Sequence, residues 1–248
     1  MSMSDIQVVV ADTDAGRHLH YQLRYEVFCL ETGFEEASRF SDKQERDEYD
    51  DRSVHFLVRN TNSGEWMATA RLIFPGDRPL PVEHRCNLDQ DHVCMSDMVE
   101  LSRLLIAPPF RRRRQGVASK RTAGTDPRPA SHSTRPEAAW ILGKLIRAIA
   151  AYCVEHDIPG AVFFVTPALA RILNRMKIQL TVIGEPCQHR GLRYPYASDG
   201  KQVFDAVSRI IERERPERES DPYRLFSEWY SPVSPHVGQE NLNIRFGT

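Results

Sequence analysis

Charged residues recur inside or beside apolar segments between residues 24 and 103, and these are the residues best suited to chemistry. Guanidinium groups bind carboxylates through paired hydrogen bonds, while carboxylates bind ammonium groups and accept protons. Charges beside apolar segments are rarely fully buried unless they are paired. We therefore expect six of them, three of each sign, to form one network around a polar substrate: Arg24, Asp47, Asp50, Arg71, Glu100 and Arg103.

Local periodicity predicts the elements that position the first of these charges. Apolar residues at spacings of three and four predict a helix over residues 15–30, which Gly33 would end. The polar and acidic residues 35–52 are expected to form a surface loop or a short helical turn. Turn residues between two alternating segments predict an antiparallel hairpin with strands at 54–59 and 66–74.

A strand over residues 98–107 carries the last charges of the set. Strict alternation predicts Glu100 and Ser102 on one face, and Leu101 and Arg103 on the other. The other predicted segments are a strand at 6–10, an irregular loop at 75–88, a helix at 138–152, a strand at 161–165, a helix at 167–176, strands at 180–183 and 191–196, and a helix at 203–213.

This order of elements predicts a mixed α/β sheet with helices on both sides, in a single domain over residues 1–213. Within the domain, residues 108–135 combine prolines, glycines and an arginine run, which is typical of a mobile basic loop. Residues 214–248 are expected to form a polar tail, in which residues 223–230 favour one docked helix.

The composition is that of a globular protein: of 248 residues, 41% are hydrophobic and 27% are charged. A net charge of −1 provides no basic field for nucleic acid. No apolar run approaches the ~20 residues that an integral membrane segment needs. The N-terminus lacks a secretory pattern and the five cysteines form no CxxC pair, which favours reduced thiols in the cytoplasm. The nine histidines show no metal-ligand spacing, so we expect no metal site.

In order along the chain, the motifs R-x-x-V-F, G-F, D-x-x-D, A-R-L and E-x-x-R resemble the N-terminal half of acyl-homoserine-lactone synthases, within the GNAT-like N-acyltransferases. Long-chain N-acyl amino acid synthases share this framework. The sequence is most similar to acyltransferases associated with PEP-CTERM/exosortase systems, through residues 29–34, 79–83, 110–114 and 191–195. The matching motif residues are Arg24, Phe28, Gly33, Phe34, Asp47, Asp50, Arg71, Glu100 and Arg103. The likeness covers roughly residues 5–210.

The resemblance implies a GNAT-like mixed sheet and the transfer of a fatty acyl group from a thioester to an amine. The donor would be acyl carrier protein or acyl-CoA, with no permanently bound cofactor, and the acceptor an amino acid or related small molecule. An acyl-homoserine-lactone synthase using S-adenosylmethionine is the alternative enzyme, although Phe34 replaces the tryptophan usual in that group. A non-catalytic binding module on the same fold is a further alternative. We expect a monomer or a weak dimer.

Within this reaction, Glu100 would be the general base and Arg103 its catalytic neighbour. Alternatively, Glu100 would form an ion pair with Arg71 or Arg103 that holds the sheet together. Asp47 and Asp50 would bind the ammonium group of the acceptor, or they would belong to an acidic surface loop.

The remaining acceptor residues follow from the same implied reaction. Arg24 and Arg71 would hold a substrate carboxylate, or they would pair with the acidic residues of the set. Phe28, Phe34 and Ser102 would complete the substrate wall, with packing in the core as the alternative for the two aromatic rings.

The donor would bind where two neighbouring parallel strands separate, which the resemblance places between the strand of Glu100 and the strand at 161–165. Backbone amides near residues 104–107 would face the thioester. The predicted donor residues are Leu104, Leu105, Ile106, Phe163 and Phe164 along the acyl chain, with Arg111, Arg112, Arg113 and Arg114 for the CoA phosphates or the acidic carrier protein. A solvated basic loop is the alternative for the four arginines.

Overall fold

The computed structural model describes residues 5–89, 94–111, 136–214 and 221–229. Most of the predicted basic loop, including Arg112, Arg113 and Arg114, lies outside these described residues.

The first segment of the chain forms one strand, one continuous helix and two short 3-10 turns. Its elements are strand β1 (Ile6–Val10), helix α1 (Asp14–Arg24), a π-helical continuation (Tyr25–Glu31) and 3-10 turns at Ala37–Arg39 and Asp50–Arg52. The Thr13 side chain accepts a hydrogen bond from the Gly16 amide and so begins α1. The predicted helix over 15–30 is confirmed, but its last turns are wound as a π-helix, a form frequent at functional sites.

The middle of the chain forms the predicted hairpin and the strand that follows it. Its elements are β2 (Ser53–Asn60), β3 (Trp66–Ile73), α2 (Pro81–Arg85), a 3-10 turn (Met95–Asp97), β4 (Val99–Ile106) and α3 (Pro108–Arg111). The expectation of an irregular loop over residues 75–88 is wrong in part, because α2 lies within it. Pro81 suits a first helical position, and the Glu83 side chain accepts a hydrogen bond from the Leu80 amide.

The C-terminal half supplies the remaining strands and the large helices. Its elements are α4 (Pro136–Glu155), β5 (Gly160–Val165), α5 (Pro167–Arg175), β6 (Thr181–Val182), β7 (Cys187–Gln188), β8 (Leu192–Asp199), α6 (Gly200–Glu214), β9 (Arg224–Leu225) and α7 (Phe226–Trp229). The Thr166 side chain caps α5 as its sequence indicates. The segment predicted to dock as a helix forms the short strand β9 and then α7.

One mixed sheet runs through the molecule in the order β6-β8-β5-β4-β3-β2-β1-β9, with β7 also paired to β8. Two neighbouring pairs in this order, β1–β9 and β4–β5, are parallel. Helices cover both faces: Val8 and Val10 pack in the core beneath α4, whereas Val9 and Leu57 pack with Leu19 of α1.

Strands β4 and β5 separate soon after they meet. They pair only through Val99 with Ala161 and Glu100 with Val162. Beyond Glu100, the two strands continue without pairing to each other, and the sheet opens between them. The predicted separation of these two strands is therefore confirmed.

A β-bulge in β4 lies just beyond this opening. Thr69 pairs with Leu105 but Arg71 pairs with Ser102, so β4 contains one residue more than β3 over this stretch. Arg103 adopts a positive φ of 50° there. The alternation predicted for β4 is consequently wrong for Arg103, whose side chain lies with Ser102 against Asp47 rather than with Leu101.

Candidate active site

Three arginines and three carboxylates form a closed ring at the centre of the site. The ring alternates in sign in the order Arg24, Glu45, Arg103, Asp47, Arg71 and Asp50, and its six ion pairs span 2.5 to 2.9 Å. Helix α1, the loop before β2, and strands β3 and β4 each contribute to it. Since the charges are equal and opposite, the ring neutralises itself without a substrate.

Four of the six ring members are buried. Arg24 and Arg71 are almost completely inaccessible to solvent, as are Glu45 and Asp50. Burial alone would raise the pKa of Glu45, but the Arg24 and Arg103 guanidiniums lower it to about 2. Burial acts likewise on Asp50, yet the hydrogen bond from His55 and the charges of Arg24 and Arg71 hold its pKa far below the usual range.

The ring differs from the predicted network by one member. Glu45 takes the place expected for Glu100, and no sequence motif singled it out. Its one sequence signal is its position in the acidic loop, two residues before Asp47. Loop residues have no periodicity, so the face that Glu45 presents could not be inferred from spacing.

Glu100 instead stands apart as an unpaired buried carboxyl. Its Oε2 accepts a hydrogen bond of 2.7 Å from the Val82 amide, at the start of α2. Within the part of the chain that the structure describes, its Oε1 has no hydrogen-bond partner. Burial raises the pKa of Glu100 to about 8, although the Val82 amide and the Arg71 guanidinium oppose the rise. The alternative of a direct ion pair with Arg71 or Arg103 does not occur among the described residues.

A cavity of about 800 Å³ runs past Glu100 and through the opening between β4 and β5. Its two ends differ in chemistry. The polar end is lined by Glu35, Asp47, Tyr49, Arg71, Arg85, Glu100, Ser102, Arg103, His189, Arg190 and Arg193. The other end is lined mainly by apolar residues of β4, α4, α5 and α6, including Leu101, Leu104, Ile106, Leu142, Gly143, Leu169, Ile172, Met176, Val207 and Ile211.

The structure divides the predicted acceptor residues into two groups. Those that border the cavity are Phe28, Phe34, Asp47, Arg71 and Ser102. Arg24 and Asp50 do not border it, because they lie on the side of the ring that is buried in the protein interior.

Both aromatic residues of the acceptor group face guanidinium groups. The Arg103 guanidinium lies 5.5 Å from the centre of the Phe28 ring, and the Arg190 guanidinium 5.2 Å from that of Phe34. Phe34 is 41% exposed, so core packing does not account for it. The Ser102 hydroxyl accepts a hydrogen bond of 3.1 Å from Arg71 Nε.

The predicted donor residues also divide. Leu104, Leu105, Ile106, Phe164 and Arg111 border the cavity. Phe163 does not, because it packs in the core beneath α4 and α6.

Two contacts involve the residues predicted to bind the acyl donor: one is made by a backbone amide and the other by Arg111. The Ala107 amide donates to the Met67 carbonyl at 2.8 Å, which removes it from the amides expected to face a thioester. Arg111 pairs with Glu31 of the π-helical segment.

The described residues offer little for other chemistries. They contain no group of His, Cys, Asp and Glu side chains that could hold a metal ion. In the same part of the chain, every helix is too short or too polar to cross a membrane.

Comparison with known proteins supports this architecture. Residues 23–118 match the family described as Acetyltransferase (GNAT) domain. BjaI, a CoA-dependent acyl-homoserine lactone synthase solved with SAM and isopentyl-CoA, has a TM-score of 0.58 and 20% identity, over 83% of this chain and 88% of that one. TofI, in a ternary complex with an inhibitor and MTA, has a TM-score of 0.58 and 21% identity, over 82% of this chain and 96% of its own.

The AHL synthase LasI is also similar, with a TM-score of 0.54 and 16% identity over 82% of this chain and 93% of its own. No curated protein matches the sequence significantly. The chain therefore has the mixed-sheet fold of GNAT-like acyltransferases, and residues 23–118 match the GNAT acetyltransferase model.

Proposed function

We propose that this protein transfers a fatty acyl group from acyl-CoA or acyl carrier protein to the amine of an amino acid or a related small molecule. The position of Glu100 is the observation that carries this proposal. It places a buried carboxyl with an unpaired oxygen at the wall of the cavity, beside the opening between β4 and β5. Polar residues surround the cavity on one side of that opening and apolar residues on the other.

Each substrate then has a compartment that suits its chemistry. The acyl chain occupies the apolar end, between β4 and helices α4, α5 and α6. The amine enters from the polar end. The thioester carbonyl lies between them, where the free edge of β4 beyond Glu100 offers backbone amides to the developing oxyanion.

The reaction requires one base and one leaving thiolate. Glu100, as a carboxylate, removes a proton from the acceptor ammonium. The freed nitrogen attacks the thioester carbon, and the carbon–sulfur bond breaks as the amide forms. The departing thiolate takes up a proton, so the products are an N-acyl compound and a free thiol.

The ring of six charges supports this centre without taking part in the proton transfer. It fixes Asp47, Arg71 and Arg103 in the cavity wall by bonds to buried partners. Side chains that line a site are positioned more accurately when hydrogen bonds to surrounding residues fix their conformations.

Mass spectrometry of lipid extracts tests the proposal. Cells expressing the wild type should accumulate N-acyl amino acids that are absent from cells expressing Glu100→Gln. Their masses would identify the acceptor and the chain length together. If purified protein transfers no acyl group from acyl-CoA or acyl carrier protein to any amine, the proposal fails.

The same experiment separates the alternatives. An acyl-homoserine lactone whose formation depends on S-adenosylmethionine would identify the protein as an acyl-homoserine-lactone synthase, like BjaI. A binding module would retain its function in Glu100→Gln. A role within a PEP-CTERM/exosortase system rests on sequence resemblance alone.

A further inference from the structure

The polar end of the cavity has two sets of arginines with different surroundings. Arg71 and Arg103 belong to the ring and are saturated by carboxylates. Arg85, Arg190 and Arg193 line a second wall, which is formed by the end of α2, the turn between β7 and β8, and the start of β8.

Two arginines of the second wall have no acidic partner among the described residues. Arg190 pairs with Glu35. For Arg85 and Arg193, no carboxylate in the described part of the chain lies within the 4.0 Å of an ion pair. Their cavity wall therefore carries uncompensated positive charge, whereas the ring carries none.

His189 holds these two guanidiniums in place and is itself neutral. Arg193 Nε donates to the His189 carbonyl at 2.8 Å, and Arg85 Nη1 lies 3.1 Å from His189 Nδ1. A guanidinium can only donate, so Nδ1 accepts and the ring proton lies on Nε2. Burial lowers the pKa of His189 to about 4, and the charges of Arg85 and Arg190 add to the effect.

A half-buried guanidinium without an anion is an unfavourable arrangement that a ligand can relieve. Burial and the neighbouring Arg190 lower the pKa of Arg193. A bound carboxylate would supply the missing negative charge and accept paired hydrogen bonds from the guanidinium. The wall is thus suited to an anionic group of the substrate.

We propose that Arg85 and Arg193 bind the carboxylate of the acceptor, which makes the acceptor an α-amino acid moiety whose amine is directed to Glu100. This inference rests on the proposed acyl transfer. The cavity brings a proton-accepting carboxyl to the same end as two guanidiniums that have no acidic partner among the described residues, which complements an ammonium group next to a carboxylate.

This assignment replaces the one expected from the sequence. Arg24 and Arg71 were the predicted carboxylate ligands, but Arg24 does not reach the cavity and both are occupied by ring carboxylates. A second carboxylate would have to break a buried ion pair, whereas Arg85 and Arg193 lose no acidic partner.

Steady-state kinetics on Arg193→Met and on Arg85→Met test the inference. The acceptor probes are a pool of the standard L-amino acids and a matched pool of their carboxamides, with acyl-CoAs of several chain lengths as donors. Each variant should raise the acceptor KM for the amino acids roughly 10- to 100-fold, the loss expected for a charge-assisted bond. Turnover at saturation and the KM for the carboxamides should change much less.

Three variants serve as controls. Arg209→Met removes an equally long cation from the exposed face of α6 and should leave both KM values unchanged. Arg193→Lys keeps the charge with fewer donors and should recover part of the amino acid preference. Glu100→Gln should lower turnover for both pools, since it acts on the amine.

Three outcomes would overturn the inference. Unchanged preference for amino acids over carboxamides in folded Arg85→Met/Arg193→Met would remove the carboxylate site while leaving acyl transfer intact. An increase confined to the acyl-CoA KM would assign the two arginines to donor phosphates. Absence of transfer by the wild type would defeat the proposed function and this inference with it. With S-adenosylmethionine as a separate probe, a homoserine-lactone product would identify that compound as the source of the amino acid moiety.

Discussion

Two glutamates show how environment assigns different roles to the same side chain. Glu45 is surrounded by Arg24 and Arg103, so it remains a carboxylate and holds the ring together. Among the described residues, Glu100 has only a backbone amide as a direct partner and a buried oxygen without one, so its proton is held more tightly. The first is a structural anion and the second is suited to moving a proton near neutral pH.

Glu100→Gln is expected to lower kcat/KM roughly 10²- to 10⁴-fold, the usual contribution of a general base. Since only the deprotonated form is a base, the wild-type rate should rise with pH through about 8, the pKa of Glu100. Steady-state pH profiles check this. If ionisation of the amine contributes a limb to the pH–rate profile, that limb should remain in Glu100→Gln. If the limb near pH 8 also remained in the variant, Glu100 would be excluded as the general base.

The ionisation of Glu100 should also make stability depend on pH: stability should fall as pH rises, whereas the rate should increase. The pKa of Glu100 is raised on folding from 4.5 to about 8, so the folded state retains a proton that the unfolded state has lost. The wild type should therefore lose stability as pH rises between these values, by up to about 1.4 kcal/mol per pKa unit. Thermal unfolding of Glu100→Gln should not show this loss. A parallel decline in both proteins would contradict the assignment.

Arg24→Met tests the ring. It leaves Glu45 and Asp50 buried with fewer cationic partners, and the free energy of unfolding should fall by about 3–5 kcal/mol. Urea titration measures the change. Arg39→Met is the matched control, because the Arg39 side chain is 64% exposed and its 3.5 Å ion pair with Glu35 should contribute at most about 1 kcal/mol.

The ring also predicts acid sensitivity. Folding lowers the pKa values of Glu45 and Asp50, so their stabilisation is complete above pH about 4.5 and is lost as pH falls towards about 2. Unfolding followed by circular dichroism over this range should show the decline in the wild type. Arg24→Met should show a shallower one.

At the scale of elements, the site depends on two irregularities of β4. The loss of pairing beyond Glu100 opens the sheet where we propose that the acyl chain binds, and the bulge turns Arg103 into the ring. A regular strand would have sent Arg103 to the apolar side with Leu101. Local departures from regular geometry therefore create both the opening and the network.

Helix α4 supplies the element-scale prediction, through a glycine in the cavity wall. Gly143 is buried, and among the described residues a Cβ at this position would meet only Met176 Cε at 3.5 Å. Gly143→Leu should fill part of the apolar end and shift the preference to shorter acyl chains. Each methylene excluded should lower affinity about fourfold, from ~0.8 kcal/mol of lost burial.

Initial rates with acyl-CoAs of increasing length measure this preference. Gly143→Ala is the control, since it adds a single methyl group and improves helix propensity by about 1 kcal/mol without filling the cavity. An unchanged chain-length optimum in folded Gly143→Leu would place the acyl chain elsewhere.

At the scale of the whole molecule, residues 221–229 close the far edge of the sheet. Strand β9 pairs in parallel with β1, and the fully buried Phe226 packs against Ala11 and Leu57. None of residues 224–229 borders the cavity. This part of the tail therefore stabilises the domain at a distance from the site.

Phe226→Ala should lower the free energy of unfolding by about 3–5 kcal/mol, as expected for removing a buried ring. Leu225→Ala is the matched control, because Leu225 is 36% exposed and should contribute far less. Both variants should retain wild-type KM values when assayed well below their melting temperatures. A changed acceptor KM in Phe226→Ala would mean that the tail influences the site.

The sequence by itself determined the features that depend on neighbours along the chain. The hairpin and the Thr166-Pro167 start of α5 follow from periodicity, turn residues and caps, whose physics is local. The pairing of the Glu100 strand with the strand at 161–165 was expected only from the resemblance to GNAT-like folds. The resemblance of its motifs to GNAT-like acyltransferases agrees with the observed fold. Most of the described residues expected at the site border one cavity, and their roles there stay predictions.

Only the tertiary structure decided which charges meet. Whether Glu45 or Glu100 joins the ring depends on how a non-periodic loop crosses β3 and β4, and on one extra residue in β4. Arg85 and Arg193, from segments more than a hundred residues apart, share a wall only because the chain folds back through β7 and β8. Ion pairing and burial act through distance in space, and spacing along the chain does not encode that distance.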